Sequence, residues 1–253
     1  MIHELTKARV AFVRSLRDKR YRDESGLFVA EGVKLVGDLI AGGMEAEAVY
    51  VTGDASLPVP AEKISPAVMA RMSHLKNPSP VLAVMRKREA KPDCYAWLDN
   101  LVLALDGVQD PGNLGTIIRA ADWFGIEHIV CSPSTADIYN TKTVQATMGA
   151  LCRVDVRYEP LEPLIERATG YGVPVYGTFL DGDDIYASEL SANGLIVMGN
   201  EGNGISASVA GMVTHRLLIP SYPEGRATGE SLNVGVATAV VCSVFRGRGA
   251  RKV

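Results

Sequence analysis

The sequence predicts an α/β protein of two parts, a small α/β domain over residues 1–91 and a larger parallel-sheet domain over residues 92–253. Three observations lead there. From Leu98 onward, short apolar strands alternate with helical stretches, the pattern of a parallel sheet covered on both faces. Charge is split along the chain: residues 1–91 hold 15 Lys and Arg against 11 Asp and Glu, and residues 92–253 hold 11 against 18. Between the two lies Arg86-Lys-Arg-Glu-Ala-Lys-Pro92, polar, charged and ended by proline, which reads as a boundary.

In the front domain, Leu5, Ala8, Val13 and Leu16 recur near helical spacing, with Lys7, Arg9, Arg14, Arg17, Lys19 and Arg20 between them. A strand follows over 26–30, then a helix from Gly32 to Leu39 that the Gly42-Gly43 pair ends. Ala48–Val51 reads as a strand. Ser65 caps a short helix with Pro66 in its first turn, and Pro80–Met85 reads as a strand. In the back domain, strands are expected at Leu101–Leu105, Glu127–Cys131, Arg153–Val156, Val173–Tyr176, Leu195–Met198 and Arg216–Ile219. Helices are expected up to Phe124, over Thr141–Ala150, Pro160–Thr169 and Ser206–Met212, and over a long closing stretch, Leu232–Phe245. The basic tail from Arg246 reads as frayed.

Composition narrows the function classes. Hydrophobic residues are 47% and charged residues 22%, ordinary for a globular chain, which excludes disorder, collagen and a disulfide-stapled miniprotein. No apolar run approaches the roughly 18 residues of a membrane span, and no apolar stretch follows the N-terminal charges, so no signal peptide is expected. Cys94, Cys131, Cys152 and Cys242 are scattered without a CxxC pair, which argues against a zinc or redox motif and fits a reducing cytoplasm. A front domain of net charge +4 fits a polyanionic partner, with a merely solvated surface as the plain alternative.

Three loops at strand ends carry the chemistry, because ligands of such sheets sit at the carboxyl ends of strands. The first is Asp106-Gly-Val-Gln-Asp-Pro-Gly-Asn-Leu-Gly-Thr-Ile-Ile-Arg119. Its glycines allow tight turns, Asn113 is placed to cap the next helix, and Arg119 stands among apolar residues, where an inward guanidinium needs an anion. A surface pair with Asp122 is the plainer reading of Arg119. The second loop is Met198-Gly-Asn-Glu-Gly-Asn-Gly-Ile-Ser206. Its glycines run GxxGxG, which is neither the dinucleotide fingerprint nor a phosphate loop, and disfavours a Rossmann-type small-molecule enzyme. The third runs from Ile219-Pro220 to Ser231-Leu-Asn-Val234, with Ser231 readable as a helix cap. No histidine stands near these loops, so a Ser-His-Asp triad has no base, and His128 and His215, inside expected strands, read as core residues.

Taken in order, N-x-G-x-x-x-R (Asn113, Gly115, Arg119), G-x-E-G-x-G (Gly199 to Gly204, with Glu201) and IP…SLNV (Ile219, Pro220, Ser231 to Val234) resemble the three motifs of the SpoU family of RNA ribose 2′-O-methyltransferases, within the SPOUT superfamily. Phe28-Val-Ala-Glu-Gly-Val-Lys34 resembles a stretch of that family's substrate-binding domain. One departure is the ten-residue link Ser221–Glu230, longer than is usual there, in which Arg226 is a possible extra phosphate contact.

The resemblance implies a C-terminal SPOUT domain with a trefoil knot, an N-terminal RNA substrate-binding domain, and S-adenosylmethionine as methyl donor with no metal. It implies transfer to a ribose 2′-hydroxyl of structured RNA, ribosomal in preference to transfer RNA, by a cytoplasmic homodimer. The carried-over catalytic residues are Arg119, Asn113, Glu201, Ser231 and Asn233. Arg119 is read as phosphate anchor and electrostatic stabiliser rather than base, because a guanidinium pKa exceeds about 12. Asn113, Ser231 and Asn233 would orient the ribose and Arg119, and Glu201 would orient Arg119 or hold its loop. Thr178, Gly199, Ile219 and Leu232 are the expected cofactor contacts. A non-catalytic RNA-binding protein that keeps the fold is the alternative.

Overall fold

The computed structural model describes residues 5–88, 99–223, 229 and 231–249. Among them, 5–88 cluster with Asp137–Arg153 into one compact unit, and 99–136 with 154–249 into another. The segment Asp137–Arg153, expected in the back domain, clusters with the first unit. The boundary stretch itself, 89–98, and Arg226 lie outside the described residues.

The first unit opens with α1 (Lys7–Ser15) and α2 (Lys19–Ser25). The expected single helix is broken because the Asp18 carboxylate accepts from Arg20 N at 2.9 Å and so starts a new one. There follow β1 (Leu27–Glu31), α3 (Val33–Ala41), β2 (Ala46–Val51), a two-residue β3 (Glu62–Lys63), α4 (Pro66–Met72) and β4 (Val81–Arg86). Ser65 caps α4 through Val68 N, with Pro66 at its start. The sheet runs β1-β4-β2-β3, antiparallel except for β2 with β3. Val10, Val13 and Leu16 of the first helical stretch and Met69 and Met72 of α4 bury against Leu82 and Val84 of β4.

What recruits Asp137–Arg153 is a set of part-buried polar contacts. The Arg22 side chain is only 2% exposed, with Nη2 at 2.6 Å and Nε at 3.1 Å from Asp137 Oδ2. Gln145 Nε2 donates to Glu31 O at 2.9 Å. His74 bridges Thr141 Oγ1 (2.9 Å) and Val13 O (3.0 Å), and burial lowers its pKa to about 4, which keeps the ring neutral. The expected Thr141–Ala150 helix is shorter, α6 by chain order (Thr141–Thr147), because Met148 and Gly149 turn left-handed, at φ 49° and 89°.

The second unit is a six-stranded, wholly parallel sheet in the order β10-β8-β9-β5-β6-β7. Its strands are β5 (Leu101–Leu105), β6 (His128–Cys131), β7 (Asp155–Tyr158), β8 (Val175–Asp184), β9 (Gly194–Met198) and β10 (His215–Leu218). Every residue of the central β5 and β9 is buried, as their unbroken apolar runs require. The helices are α5 (Pro111–Trp123), α7 (Leu161–Gly170), the single turn α8 (Ala207–Ala210) and α9 (Val234–Gly249). Arg246 is not in a frayed tail: it lies in α9, donating from Nε to Phe124 O at 2.8 Å and from Nη2 to Gly125 O at 2.7 Å, where it closes the end of α5. His215, expected in the core, is exposed and packs on Tyr176 with ring centres 4.9 Å apart and planes tilted by 35°.

Candidate active site

Leu105 and Met198 end neighbouring strands in register, so the first two loops leave the sheet side by side. Four side chains stitch them together. Asp106 Oδ2 accepts from Ser206 N at 2.7 Å, and Asn200 Nδ2 donates to Gly107 O at 2.7 Å. Asn200 Oδ1 accepts from Gly202 N and Asn203 N, folding 199–204 into a hairpin closed by the Asn200–Gly204 bridge. At Gly199 a Cβ would stand 2.3 Å from the backbone of Gly204 and Ile205, so only glycine lets the hairpin close.

Glu201 reaches back to the first loop. Its carboxylate accepts from Gln109 N (3.1 Å), Asp110 N (3.0 Å) and Asn113 Nδ2 (3.0 Å). Partial burial alone would raise its pKa. The Asn113 amide and the backbone N–H groups outweigh that and hold it below the usual carboxylate value. All three of these bonds go to the first loop and the start of α5, and none goes to Arg119.

Asn113 was expected as a cap, but the cap of α5 is Asp110, whose carboxylate accepts from Asn113 N at 2.9 Å. That frees the Asn113 side chain to join all three loops. Asn233 Nδ2 donates to Asn113 Oδ1 at 2.9 Å, and Asn233 Oδ1 takes Gly235 N (3.0 Å) and Val236 N (3.3 Å) at the start of α9. The direction of the chain is set by chemistry at its ends. A carboxylate only accepts and a helix N–H only donates, so both amides are oriented without ambiguity. Asn233, rather than Ser231, is thus the helix cap, and Ser231 is exposed two residues before it.

Arg119 also departs from expectation. The buried stripe of α5 is Leu114, Ile117, Ile118 and Ala121, and Arg119 lies on the opposite side, exposed, with Thr116 and the 84% exposed Trp123. Its guanidinium forms no ion pair or hydrogen bond with the described residues, Asp122 included. Thr178 follows Gly177, the last β8 residue paired with β9, and its hydroxyl contacts Met198 Sδ at 3.9 Å. β8 was expected to stop at Tyr176. It continues because Asp183 and Asp184 rejoin β10 after a five-residue excursion over 178–182. Arg216 steadies that excursion, 3.5 Å from the Phe179 ring centre and 2.5 Å from Asp181. Ile219 is half-buried just past β10, and Leu232 is 53% exposed beside Asn233. Asp106 and Asn200 were not singled out from sequence. The available signal was an Asx residue between a strand end and a glycine turn, which commonly binds loop backbone.

The sequence profile of the SpoU rRNA Methylase family matches residues 100–243, the span that holds all three loops. The chain belongs to the SpoU rRNA methylase family. A second profile, the MRM3-like substrate binding domain, matches residues 7–83. Among relatives of this SpoU chain, the 23S rRNA (guanosine(2553)-2′-O)-methyltransferase of Bacillus subtilis is 31% identical over 241 residues, 92% of this chain and 94% of the relative. A solved structure assigned to the TrmH family of RNA methyltransferases, from Porphyromonas gingivalis, is 38% identical with a TM-score of 0.85, covering 97% of this chain and 100% of that one. An AdoMet-bound rRNA methyltransferase from Sinorhizobium meliloti is 28% identical with a TM-score of 0.82, covering 98% and 97%. Among the described residues no three His, Cys, Asp or Glu side chains group as a metal site, and no helix is long and apolar enough to cross a membrane.

Proposed function

We propose that this SpoU chain transfers a methyl group from S-adenosylmethionine to a ribose 2′-hydroxyl of RNA, with ribosomal RNA as the substrate. The observation that carries the reading is the Glu201–Asn113–Asn233 chain, which locks three glycine-rich strand ends into one rigid cluster. A purine needs apolar walls and a few backbone donors and acceptors, and these strand ends fit it. Ile219 and Leu232 offer the walls, Gly202 and Gly204 leave main chain uncovered by side chains on the hairpin that Gly199 lets close, and Thr178 adds a hydroxyl. When bound, S-adenosylmethionine supplies a methyl group already activated on a sulfonium. The protein's task is then positioning and charge stabilisation. Asn113, Ser231 and Asn233 orient the ribose, Glu201 holds the loop that presents Asn113, and Arg119 anchors a backbone phosphate.

The first unit binds the RNA, and the back domain carries the family's trefoil knot. The enzyme works in the cytoplasm as a homodimer. Support for the dimer comes from Trp123 of α5 and Val236 of α9, 84% and 50% exposed on two helices that pack together. A second copy covering them would set the neighbouring Arg119 at the seam.

The test is incubation with methyl-labelled S-adenosylmethionine and protein-free ribosomal RNA, followed by nucleoside mass spectrometry. A 2′-O-methyl nucleoside is expected. Cofactor binding without any methylated nucleoside would favour the non-catalytic RNA-binding reading. Gly199→Ala tests the cofactor cradle separately. Its Cβ must displace the 199–204 hairpin, and overpacking of that kind costs about 1–3 kcal/mol. Calorimetry should show cofactor affinity reduced by about tenfold to a hundredfold, with the melting temperature lowered by only about 2 to 12 °C. Unaltered affinity would remove Gly199 from the cofactor site.

A further inference from the structure

The first unit has an uneven distribution of unneutralised charge. Several of its cations are paired with carboxylates: Lys19 with Asp23 (2.6 Å), Arg20 with Glu24 (3.6 Å), Lys34 with Asp38 (2.7 Å), Lys63 with Asp54 (3.8 Å), the half-buried Lys87 with Asp23 (2.6 Å), and Arg86 with Glu45 (2.9 Å) and Glu47. Arg22 is buried on Asp137. Lys7, Arg14, Arg71 and Lys76 are different. All four are exposed, and none pairs with a carboxylate among the described residues.

These four stand together in the fold. α1 packs against α4, and Lys7 and Arg14 are two turns apart on the exposed side of α1. Arg71 is in the last turn of α4, and Lys76 follows it by five residues. Arg17, just past α1, donates from Nη2 to Ser73 O at 2.8 Å, and His74 Nε2 lies 3.0 Å from Val13 O, so the strip after α4 runs along the end of α1. Across α1, α4 and residues 73–80 there is no Asp or Glu at all. The stretch 33–64, by contrast, holds Asp38, Glu45, Glu47, Asp54 and Glu62 against Lys34 and Lys63.

We infer that the α1–α4 face, through Lys7, Arg14, Arg71 and Lys76, is the surface on which this chain holds the phosphate backbone of its RNA. The inference rests on the proposed RNA methyltransferase reading and adds to it the face and the residues. Unpaired cations without intervening carboxylates are what backbone contacts require, since each neutralised phosphate releases counterions. α2, although rich in basic residues, is excluded, because its cations are already neutralised within the unit.

The test compares Arg14→Gln/Arg71→Gln/Lys76→Gln with Lys19→Gln/Arg20→Gln/Lys63→Gln in the full chain. The readout is the affinity for a fluorescein-labelled stem–loop RNA over a range of salt concentrations, with cofactor affinity and thermal melting measured in parallel. Each lost phosphate contact reduces the slope of log affinity against log salt by about 0.7 to 0.9. The first variant should therefore lose about 2 to 3 in slope and keep cofactor affinity and melting temperature. The second should keep the wild-type slope. An unchanged slope in the first variant, while the wild type binds and methylates RNA, overturns this surface and leaves the function standing. An equal loss in both variants also overturns it, because bulk charge would then explain binding. A wild type that neither binds nor methylates RNA overturns the functional reading and this inference together. Wild-type binding to phosphatidylserine vesicles in place of RNA, lost in the first variant, would assign the face to a membrane instead.

Discussion

Arg119→Ala should cut single-turnover methyl transfer by at least about a hundredfold, the scale of losing one preorganised electrostatic group, with cofactor affinity near wild type. The structure makes this a clean experiment. Arg119 is exposed on α5 and takes no part in the Glu201–Asn113–Asn233 chain, so its removal disturbs no described contact. Alanine and arginine have similar helix propensity, so α5 is not weakened. A loss of rate with an intact fold and cofactor site then belongs to the chemistry. Arg119→Lys should recover little, because a point charge does not reproduce a planar fork on phosphate. A merely solvated arginine predicts the opposite, an effect of at most about 1 kcal/mol and near-normal turnover. Wild-type rates in Arg119→Ala at saturating cofactor would remove it from the mechanism.

Arg22→Met should destabilise the protein by about 3–5 kcal/mol, the usual cost of removing one partner from a buried ion pair. Domains are stable by only about 5–15 kcal/mol, so this threatens folding at elevated temperature. The Arg22 side chain is 2% exposed and that of Asp137 14%. Besides Asp137, the guanidinium satisfies Leu16 O (2.9 Å) and Arg17 O (2.5 Å) from Nη1. Methionine would leave a carboxylate and two carbonyls without these donors, and would release Asp137–Arg153 from α2. Arg22→Met/Asp137→Leu should recover part of the loss, because the uncompensated charge goes with its partner. Urea denaturation gives both values. A loss below about 1 kcal/mol for the single variant, the range of an exposed pair, would show that Arg22 is not what holds the segment. The contact also explains why truncation at residue 91 is a poor test of the first unit, since it would strip the packing partner from Asp137–Arg153.

Much of this was legible in one dimension because it depends on local chemistry. Unbroken apolar runs at Leu101–Leu105 and Leu195–Met198 can only be strands buried on both faces, and they form the sheet centre. Pro66 after Ser65 starts a helix by the same local rule. The three glycine-rich strand ends, in order, were enough to point to a family. β8 escaped because its return at Asp183 and Asp184 is made by pairing with β10, and Asp181-Gly-Asp-Asp184 reads locally as a turn.

The arrangement of the site was settled by contacts between residues far apart in sequence. Asn113 meets Glu201 across 88 positions and Asn233 across 120, and no local pattern encodes such partners. The cap of α5 fell to Asp110, which left Asn113 free for the network. Whether Arg119 faced in or out depended on which stripe of α5 the sheet covered. Likewise the basic residues of the first unit looked equivalent in sequence. Folding paired those of α2, α3 and the sheet with carboxylates and left Lys7, Arg14, Arg71 and Lys76, on α1, α4 and the strip beyond, exposed without them. Composition and periodicity specify which elements form, because those preferences act within a few residues. Which side chains meet, and which charges stay open to a ligand, depends on packing between elements, where distance along the chain carries no information.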